Sequence, residues 1–218
     1  MKAMLLDKIV SLEKDQNPLR LAEVPVPRPG FGEVLIRLSV CGVCHTELDE
    51  IEGRSPPAFF PLIPGHQAIG RVLKLGKGSD SFRAGDRVGV AWIYNACRKC
   101  EFCREGRENL CDQFQATGKD AHGGYAEFMV APEKFVYPIP NFFSDAEAAP
   151  LLCAGAIGFR SIRLAELKEG ERLGLCGFGA SAHLVLKMVR HEYPSTGIFV
   201  FSRNEQERQF ARKLGADW

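Results

Sequence analysis

The chain has 218 residues, enough for one large domain or two modest ones at about 150 residues per domain. Its 28 basic and 27 acidic residues leave a formal net charge of +1, so no charge excess points to nucleic acid or an anionic membrane. Asp7 and Lys8 interrupt the first short apolar run, which argues against a signal peptide, and no apolar stretch is long enough to span a bilayer. We therefore expect a cytoplasmic protein whose eight cysteines stay reduced.

The first part of the chain has the pattern of β-structure. Short runs of alternating or β-branched residues are separated by loops rich in glycine and proline, which favours a small barrel or sandwich. One short helix is predicted at His45–Ile51, ended by Gly53. The predicted strands are Leu21–Val24, Glu33–Val40, Ile69–Leu75, Arg87–Ala91 and Tyr125–Val130.

Four cysteines in the segment CRKCEFCREGRENLC have the spacing of a metal site. Gaps of two, two and seven residues can aim four thiolates at one point, as in a tetrahedral zinc site with no open position. Disulfides or a redox CxxC pair are the alternatives, but three sulfurs this close together pair poorly as disulfides. We predict a structural zinc lobe at residues 95–113, with the ligands Cys97, Cys100, Cys103 and Cys111.

The pattern changes near residue 145. Ser144 and Glu147 have the spacing of a capping box, which predicts a helix running to about Glu166. Two strand-then-helix units follow, in RLGLCGFGASAHLVLKMVRH and IFVFSRNEQERQFARKLGAD, and this order is typical of a parallel α/β domain. We place the domain boundary between residues 152 and 153.

A glycine-rich turn in the second part predicts a dinucleotide site. Gly177, Gly179 and Ala182 form a G-x-G-x-x-A pattern between a strand and a helix, where a pyrophosphate can approach the backbone. At the end of the next strand stand Ser202 and Arg203, which suit a 2′-phosphate better than a carboxylate would. NADP is therefore favoured over NAD; the competing acidic candidate for the ribose is Glu205, which lies at the predicted start of the following helix.

Three further motifs complete a family resemblance: CGVCHTEL at 41–48, PGHQ at 64–67 and LCAG at 152–155. Together with the cysteine lobe and the glycine-rich turn, they resemble the zinc-dependent alcohol dehydrogenases of the medium-chain dehydrogenase/reductase superfamily. The resemblance implies α+β and α/β architecture: a GroES-like β-barrel catalytic domain over 1–152, followed by the first part of a Rossmann cofactor-binding domain over 153–218. It also implies small alcohol or aldehyde substrates and a homo-oligomer.

The same resemblance implies a role for individual residues. Cys44, His66 and Cys153 would hold a catalytic zinc, Thr46 would take the alcohol proton, and His45 would contact the cofactor pyrophosphate. Trp92 matches the residue that narrows the substrate pocket in yeast-like members. Each ligand taken alone has an alternative interpretation. Cys44 could form a redox pair with Cys41, His66 could be an ordinary loop histidine, and Cys153 could be a buried cysteine. The remaining thiols, Cys41 and Cys176, are predicted to be buried strand residues.

Three positions depart from the family pattern. The ligand histidine is followed by Gln67 instead of glutamate, and Glu47 replaces an aspartate. Where several members end a proton relay with histidine, this chain has Asp49, so our hypothesis is that the relay runs through Asp49 or water. Both Gln67 and Glu47 occupy positions that orient the metal ligands.

The resemblance further implies that the remaining strands of a doubly wound sheet, and a returning C-terminal segment, lie outside these 218 residues. We expect a clipped form of a longer enzyme or a natural truncation; in the 218-residue form, structural zinc would bind while cofactor binding and activity would be weak. Other candidate functions are a polyol or cinnamyl-type dehydrogenase and, outside enzymes, a non-catalytic zinc-binding module. A zinc-free quinone reductase is disfavoured by the two sets of metal ligands.

Overall fold

A five-stranded antiparallel sheet organises the first of the two units into which the chain divides, Met1–Leu152 and Cys153–Trp218. The computed structural model describes all 218 residues. The strands of the first unit are β1 (Lys2–Leu6), β2 (Leu19–Glu23), β3 (Glu33–Cys41), β4 (Ala68–Leu75), β5 (Arg87–Val90), β6 (Ile93–Asn95), β7 (Gln115–Ala116), β8 (Phe128–Pro132) and β9 (Val136–Pro138). None of the helices has the length and apolar character that crossing a membrane requires.

The order of the large sheet is β8-β3-β4-β5-β9, and its buried face forms the core of the unit. β-Branched side chains suit this pleated, half-buried surface, which explains why the sequence pattern located these strands. β1 and β2 form a separate antiparallel pair, as do β6 and β7. The buried core residues are Val34, Ile36, Ala68, Val72, Val88, Val90, Met129, Ala131 and Val136.

The predicted strands at 33, 69 and 87 differ from β3, β4 and β5 by one residue at most, whereas β8 begins three residues later than predicted. The prediction missed β1, β6, β7 and β9. The last three are short, and β1 depends on pairing with β2 across the intervening loop. Strands of this kind are set by partners distant in sequence, which local patterns do not show.

Helix α1 occupies His45–Ile51, the predicted bounds, and α2 is a single turn at Glu101–Arg104. Helix α3 begins after Ser144 with the predicted capping box, but it ends at Ala148. A 3₁₀ turn covers Ala149–Leu152, and α4 starts only at Ala154. The continuous helix predicted to Glu166 is therefore wrong. Pro150 lacks an N–H for helical bonding, and Cys153 has non-helical dihedral angles of φ −130° and ψ −78°.

The second unit contains α4 (Ala154–Leu164), β10 (Arg172–Cys176), α5 (Ala180–Glu192), β11 (Gly197–Phe201) and α6 (Glu205–Lys213). β10 and β11 pair in parallel, and the helices pack around Leu186, Val189 and Ile198, which are fully buried. Cys176 is exposed, so its predicted burial is wrong. Burial alternates along β10, and Cys176 falls on the same exposed face as Gly174.

The carboxylate of Asp145 fastens α3 to the large sheet. It accepts hydrogen bonds from Ser39 Oγ at 2.5 Å and from Arg87 Nε at 2.7 Å, so it joins α3 to β3 and β5. The Ser39 hydroxyl and the Arg87 guanidinium hold the pKa of Asp145 below its usual value of 3.8, although partial burial opposes this.

We predict that Asp145→Asn lowers the free energy of unfolding by about 1 kcal/mol at pH 7, a small value because Asp145 is partly exposed. A lowered carboxyl pKa stabilises the fold above the unfolded-state pKa, and this contribution disappears as pH falls through the folded-state pKa. Denaturant unfolding at pH 7 and near pH 3 should therefore show a difference between the variant and the parent that shrinks in acid. Asp7→Asn, which breaks an exposed pair with Arg20, is the control and should change little. An equal loss at both pH values would contradict the prediction.

Candidate functional site

Cys44 is fixed by the start of α1. It is the N-cap residue of this helix, and its backbone N–H donates to Oε2 of Glu47 at 2.7 Å. This bond is one half of a capping box, so the local sequence that starts the helix also sets the direction of the Cys44 side chain. The Cys44 sulfur lies 3.5 Å from Oγ1 of Thr46 in the first turn. A thiol and a hydroxyl are thus presented side by side.

His66 is placed by the turn that precedes β4. Gly65 has φ +99°, and a Cβ at this position would lie 2.6 Å from Cδ1 of Tyr125 and 2.9 Å from the sulfur of Cys41. The turn therefore requires glycine both for its backbone angle and for space. The side chain of His66 is only 1% exposed, and its Nδ1 lies 2.6 Å from Oε1 of Glu47, within range of a charge-assisted hydrogen bond.

Both ring nitrogens of His66 are buried without a hydrogen bond of ordinary geometry, and only Nδ1 has the ion-pair contact with Glu47. Burial by itself disfavours the charged imidazole, but the neighbouring Cys44 sulfur and Glu47 carboxylate raise the pKa of His66 to about 9. The surroundings therefore favour a positive charge at this point. A buried cation bound through Nε2 would satisfy both the unpartnered nitrogen and the negative surroundings.

Cys153 supplies the third potential ligand. It is joined by its peptide bond to Leu152, and its sulfur, the Cys44 sulfur and a ring nitrogen of His66 all lie within 4.8 Å of one another. Two sulfurs and one imidazole with one ligand position left over are the donor set of a catalytic zinc site. The residues present therefore fit the metal that the family resemblance implies.

Glu50 is a buried acidic residue that the sequence analysis did not single out. Its carboxylate is fully buried, and neither oxygen has a hydrogen-bond partner. Burial, reinforced by the negative charge of Glu47, raises the pKa of Glu50 to about 8. Glu50 follows Glu47 by three residues in α1, so helical spacing places both carboxylates on the same face. This three-residue spacing within the predicted helix is the sequence feature from which Glu50 could have been placed beside Glu47.

The other predicted residues near this site differ in their surroundings. Trp92 packs edge-to-face against the His66 ring, with 5.0 Å between centroids. The carboxylate of Asp49 accepts a 2.6 Å hydrogen bond from Arg54 Nε and lies 3.8 Å from Nε2 of His45. The His45 side chain is exposed, which leaves its imidazole accessible to a ligand.

The four cysteines of the predicted lobe converge as well, and all four sulfurs lie within 4.8 Å of one another. Backbone N–H groups of Lys99 and Cys100 donate to the Cys97 sulfur and lower the pKa of Cys97 to about 6. Burial and the neighbouring thiols raise the pKa of Cys103 to about 12. Crowded sulfurs of this kind cannot all be thiolates unless a cation lies between them, so the lobe fits a four-thiolate metal site.

The predicted dinucleotide turn lies between β10 and α5. Gly177 has φ +82°, and a Cβ at Gly177 or Gly179 would meet no atom within 4 Å. Gly179 is the N-cap of α5 and provides no side-chain cap for the first N–H groups of this 13-residue helix. Ala182 packs against the core of the unit, as the third small residue of such a motif should. The turn fits a pyrophosphate bound at a helix N-terminus.

Ser202 directly follows β11, and its hydroxyl donates to Glu207 in α6. Arg203 is exposed, as expected for a residue available to a ligand. Glu205, the acidic residue nearest to the strand end in sequence, instead pairs with Arg208. The contact between Ser202 and Glu207 was not foreseen, because the two residues are five positions apart across a helix start.

A cavity of about 640 Å³ lies elsewhere in the first unit. Apolar and aromatic side chains line most of it, among them Phe59, Phe60 and Met129. None of the predicted site residues contributes to its lining. The cavity is therefore separate from the group formed by Cys44 and His66.

The sequence of this chain matches a known family. Residues 30–141, just over half of the chain, match the alcohol dehydrogenase GroES-like domain family. The chain belongs to this alcohol dehydrogenase family. The resemblance and the GroES-like, mixed α and β architecture predicted from the sequence are thereby confirmed.

Individual alcohol dehydrogenases are similar over nearly the whole chain. The probable alcohol dehydrogenase AdhA of Mycobacterium tuberculosis (strain CDC 1551 / Oshkosh) is 44% identical over 207 residues, which cover 93% of this chain and 59% of the relative. A cobalt- and zinc-bound thermostable alcohol dehydrogenase from Pyrobaculum aerophilum has a TM-score of 0.88 at 27% identity, covering 100% of this chain and 64% of that one. CAD from Helicobacter pylori, complexed with NADP(H), has a TM-score of 0.87 at 26% identity. The match covers 99% of this chain and 62% of the Helicobacter chain. The chain spans less than two thirds of each relative.

We predict that Glu47→Gln weakens metal binding at Cys44, His66 and Cys153 by about 10- to 100-fold, the usual effect of losing a group that orients a ligand. A neutral amide keeps the size of the side chain but removes the charge beside the imidazole. Metal analysis after dialysis against a chelator should show the loss of one zinc ion per chain, while the four-cysteine lobe keeps its ion. Glu52→Gln, at a nearby half-buried glutamate paired with Arg54, should retain full zinc content. Unchanged zinc content in Glu47→Gln would contradict the role of Glu47.

Proposed function

We propose that the chain is the metal-binding and cofactor-binding part of a zinc-dependent alcohol dehydrogenase. The reaction is reversible hydride transfer between a primary or secondary alcohol, or the corresponding carbonyl compound, and NAD(P). The observation that carries this proposal is the convergence of Cys44, His66 and Cys153 within 4.8 Å, in a chain that also has a glycine-rich turn between a strand and a helix. A four-cysteine lobe accompanies them and would hold a second, structural zinc ion.

Zinc bound by two thiolates and one imidazole would make an alcohol proton more acidic and a carbonyl group more electrophilic. The chain's own residues then have separate tasks. Glu47 orients His66 through Nδ1, Thr46 accepts the alcohol proton at Oγ1, and the Trp92 ring restricts the space beside His66. Asp49 or water receives the proton from Thr46. Small or slender alcohols suit a site narrowed by an indole ring.

The cofactor is proposed to bind the second unit at the turn formed by Gly177, Gly179 and Ala182, with the exposed His45 as an additional pyrophosphate contact. Arg203 favours NADP because its exposed guanidinium can pair with a 2′-phosphate. The similar Helicobacter protein is complexed with NADP(H), but other similar structures contain NAD or NADH, so the preference rests on Arg203. NAD remains an acceptable cofactor in this proposal. A cytoplasmic homo-oligomer is the proposed form of the protein.

Zinc content and activity together test the function. In protein expressed from the complete reading frame, we predict two zinc ions per chain and alcohol oxidation with NADP. Cys153→Ser should reduce zinc to one ion per chain and lower activity by at least 100-fold, because it removes one of three ligands. Cys176→Ser makes the same chemical change at an exposed thiol and should alter neither measurement. One zinc ion per chain in the parent, with no activity, would instead indicate a non-catalytic zinc-binding module.

The proton relay makes a prediction of its own. Asp49→Ala should slow alcohol oxidation several-fold below neutral pH and have a smaller effect at high pH, where hydroxide in solvent can take the proton directly. The measurement is the pH profile of kcat. Asp7→Ala removes an exposed carboxylate from the same unit and should leave the profile unchanged. A profile for Asp49→Ala identical to that of the parent at every pH would rule out the relay through Asp49.

A further inference from the structure

The hydroxyl of Ser202 is engaged by a carboxylate before any ligand reaches it. Ser202 Oγ donates a 2.5 Å hydrogen bond to Oε2 of Glu207, in the first turns of α6. The same oxygen accepts a 3.1 Å hydrogen bond from the backbone N–H of Asn204. Both Ser202 and Glu207 are half-buried. Because a hydroxyl has a single proton, Ser202 cannot donate to a ligand while it donates to Glu207.

The charges around this contact are unevenly paired. Glu205 forms an ion pair with Arg208, and Arg208 also donates to the backbone carbonyl of Ser202 at 2.5 Å. Glu207 forms no ion pair, since its hydrogen-bond partner is the neutral Ser202 hydroxyl. The guanidinium of Arg203 is exposed and has no hydrogen-bond or ion-pair partner. The turn after β11 thus presents one uncompensated carboxylate, from Glu207, and one uncompensated cation, from Arg203.

This turn is held next to the glycine-rich turn. The backbone N–H of Gly177 donates to the carbonyl of Phe201 at 2.8 Å, and Phe201 directly precedes Ser202. The carboxyl ends of β10 and β11 therefore lie at one edge of the parallel pair, where nucleotides bind in folds of this class. A dinucleotide with its pyrophosphate at Gly177 and Gly179 would bring its adenosine ribose towards Ser202 and Glu207.

We propose that Glu207 limits the preference of this chain for NADP over NAD. The inference rests on the proposed function, because it assumes that the glycine-rich turn binds a dinucleotide. A ribose 2′-hydroxyl can donate to the Glu207 carboxylate or to the remaining lone pair of Ser202. A 2′-phosphate brings negative charge to the same place and finds the Ser202 proton already used. Arg203 attracts the phosphate and Glu207 opposes it, so the balance between these two residues sets cofactor choice.

The binding of two cofactor fragments tests the role of Glu207 without a measurement of enzyme activity. Adenosine 2′,5′-bisphosphate and 5′-AMP differ only in the 2′-phosphate, and calorimetry gives Kd for each with protein expressed from the complete reading frame. Glu207→Gln keeps a hydrogen-bond acceptor for Ser202 but removes the charge. We expect it to tighten the bisphosphate about tenfold relative to 5′-AMP, with a smaller gain at high salt. Glu192→Gln removes the same charge from an exposed position at the end of α5 and should leave the ratio within about twofold.

The outcomes separate this inference from the proposed function. If the parent binds both fragments and Glu207→Gln leaves their Kd ratio unchanged, Glu207 has no part in cofactor choice and the dinucleotide site stands. If Glu207→Gln weakens both fragments equally, its role is structural and the inference is wrong. If the parent binds neither fragment nor NADPH, the cofactor proposal fails and the inference fails with it.

Discussion

The candidate metal site depends on the two oxygens of the Glu47 carboxylate. Oε2 accepts from the backbone N–H of Cys44, and Oε1 lies 2.6 Å from Nδ1 of His66. One side chain therefore connects the start of α1 with the turn before β4. Its burial would be unfavourable for an unpaired charge, but Oε2 accepts a hydrogen bond and Oε1 is in ion-pair range of the His66 ring. The extra methylene that distinguishes Glu47 from the aspartate of the family pattern is compatible with this double contact.

The surroundings of Glu47 contain more buried polar groups than protein partners alone satisfy. Gln67 is neutral where the family pattern has glutamate, and the fully buried carboxyl group of Glu50 has no hydrogen-bond partner. The hydroxyl of Tyr125 is buried without a partner as well, and its burial and the nearby acidic groups raise its pKa. Unsatisfied buried groups are costly and rare in folded proteins. Their concentration beside His66 is understandable if the region is built around a cation.

The sequence predicted best those features that neighbouring residues determine. The bounds of α1, the capping box at Ser144 and the grouping of four cysteines all follow from spacings of a few residues. The helix break before Cys153 had a local signal in Pro150, which the prediction did not use. The other failures were set by tertiary structure: the exposure of Cys176 and the bond from Ser202 to Glu207 depend on what packs against a strand and where the backbone turns. Local patterns carry no direct record of such contacts.

The two candidate metal sites also differ in whether their ligands are close together or far apart in sequence. This difference affects how each site forms during folding. The lobe draws its four sulfurs from one short segment, so the turns around Cys97 and Cys103 suffice to gather them. Cys44, His66 and Cys153 come from three distant segments that meet only when β3, β4 and α3 have packed. Metal binding to the lobe can therefore accompany early local folding. The other group requires the assembled sheet, so any loss of sheet packing weakens it first, as expected for a site whose precision comes from the fold and not from the motif.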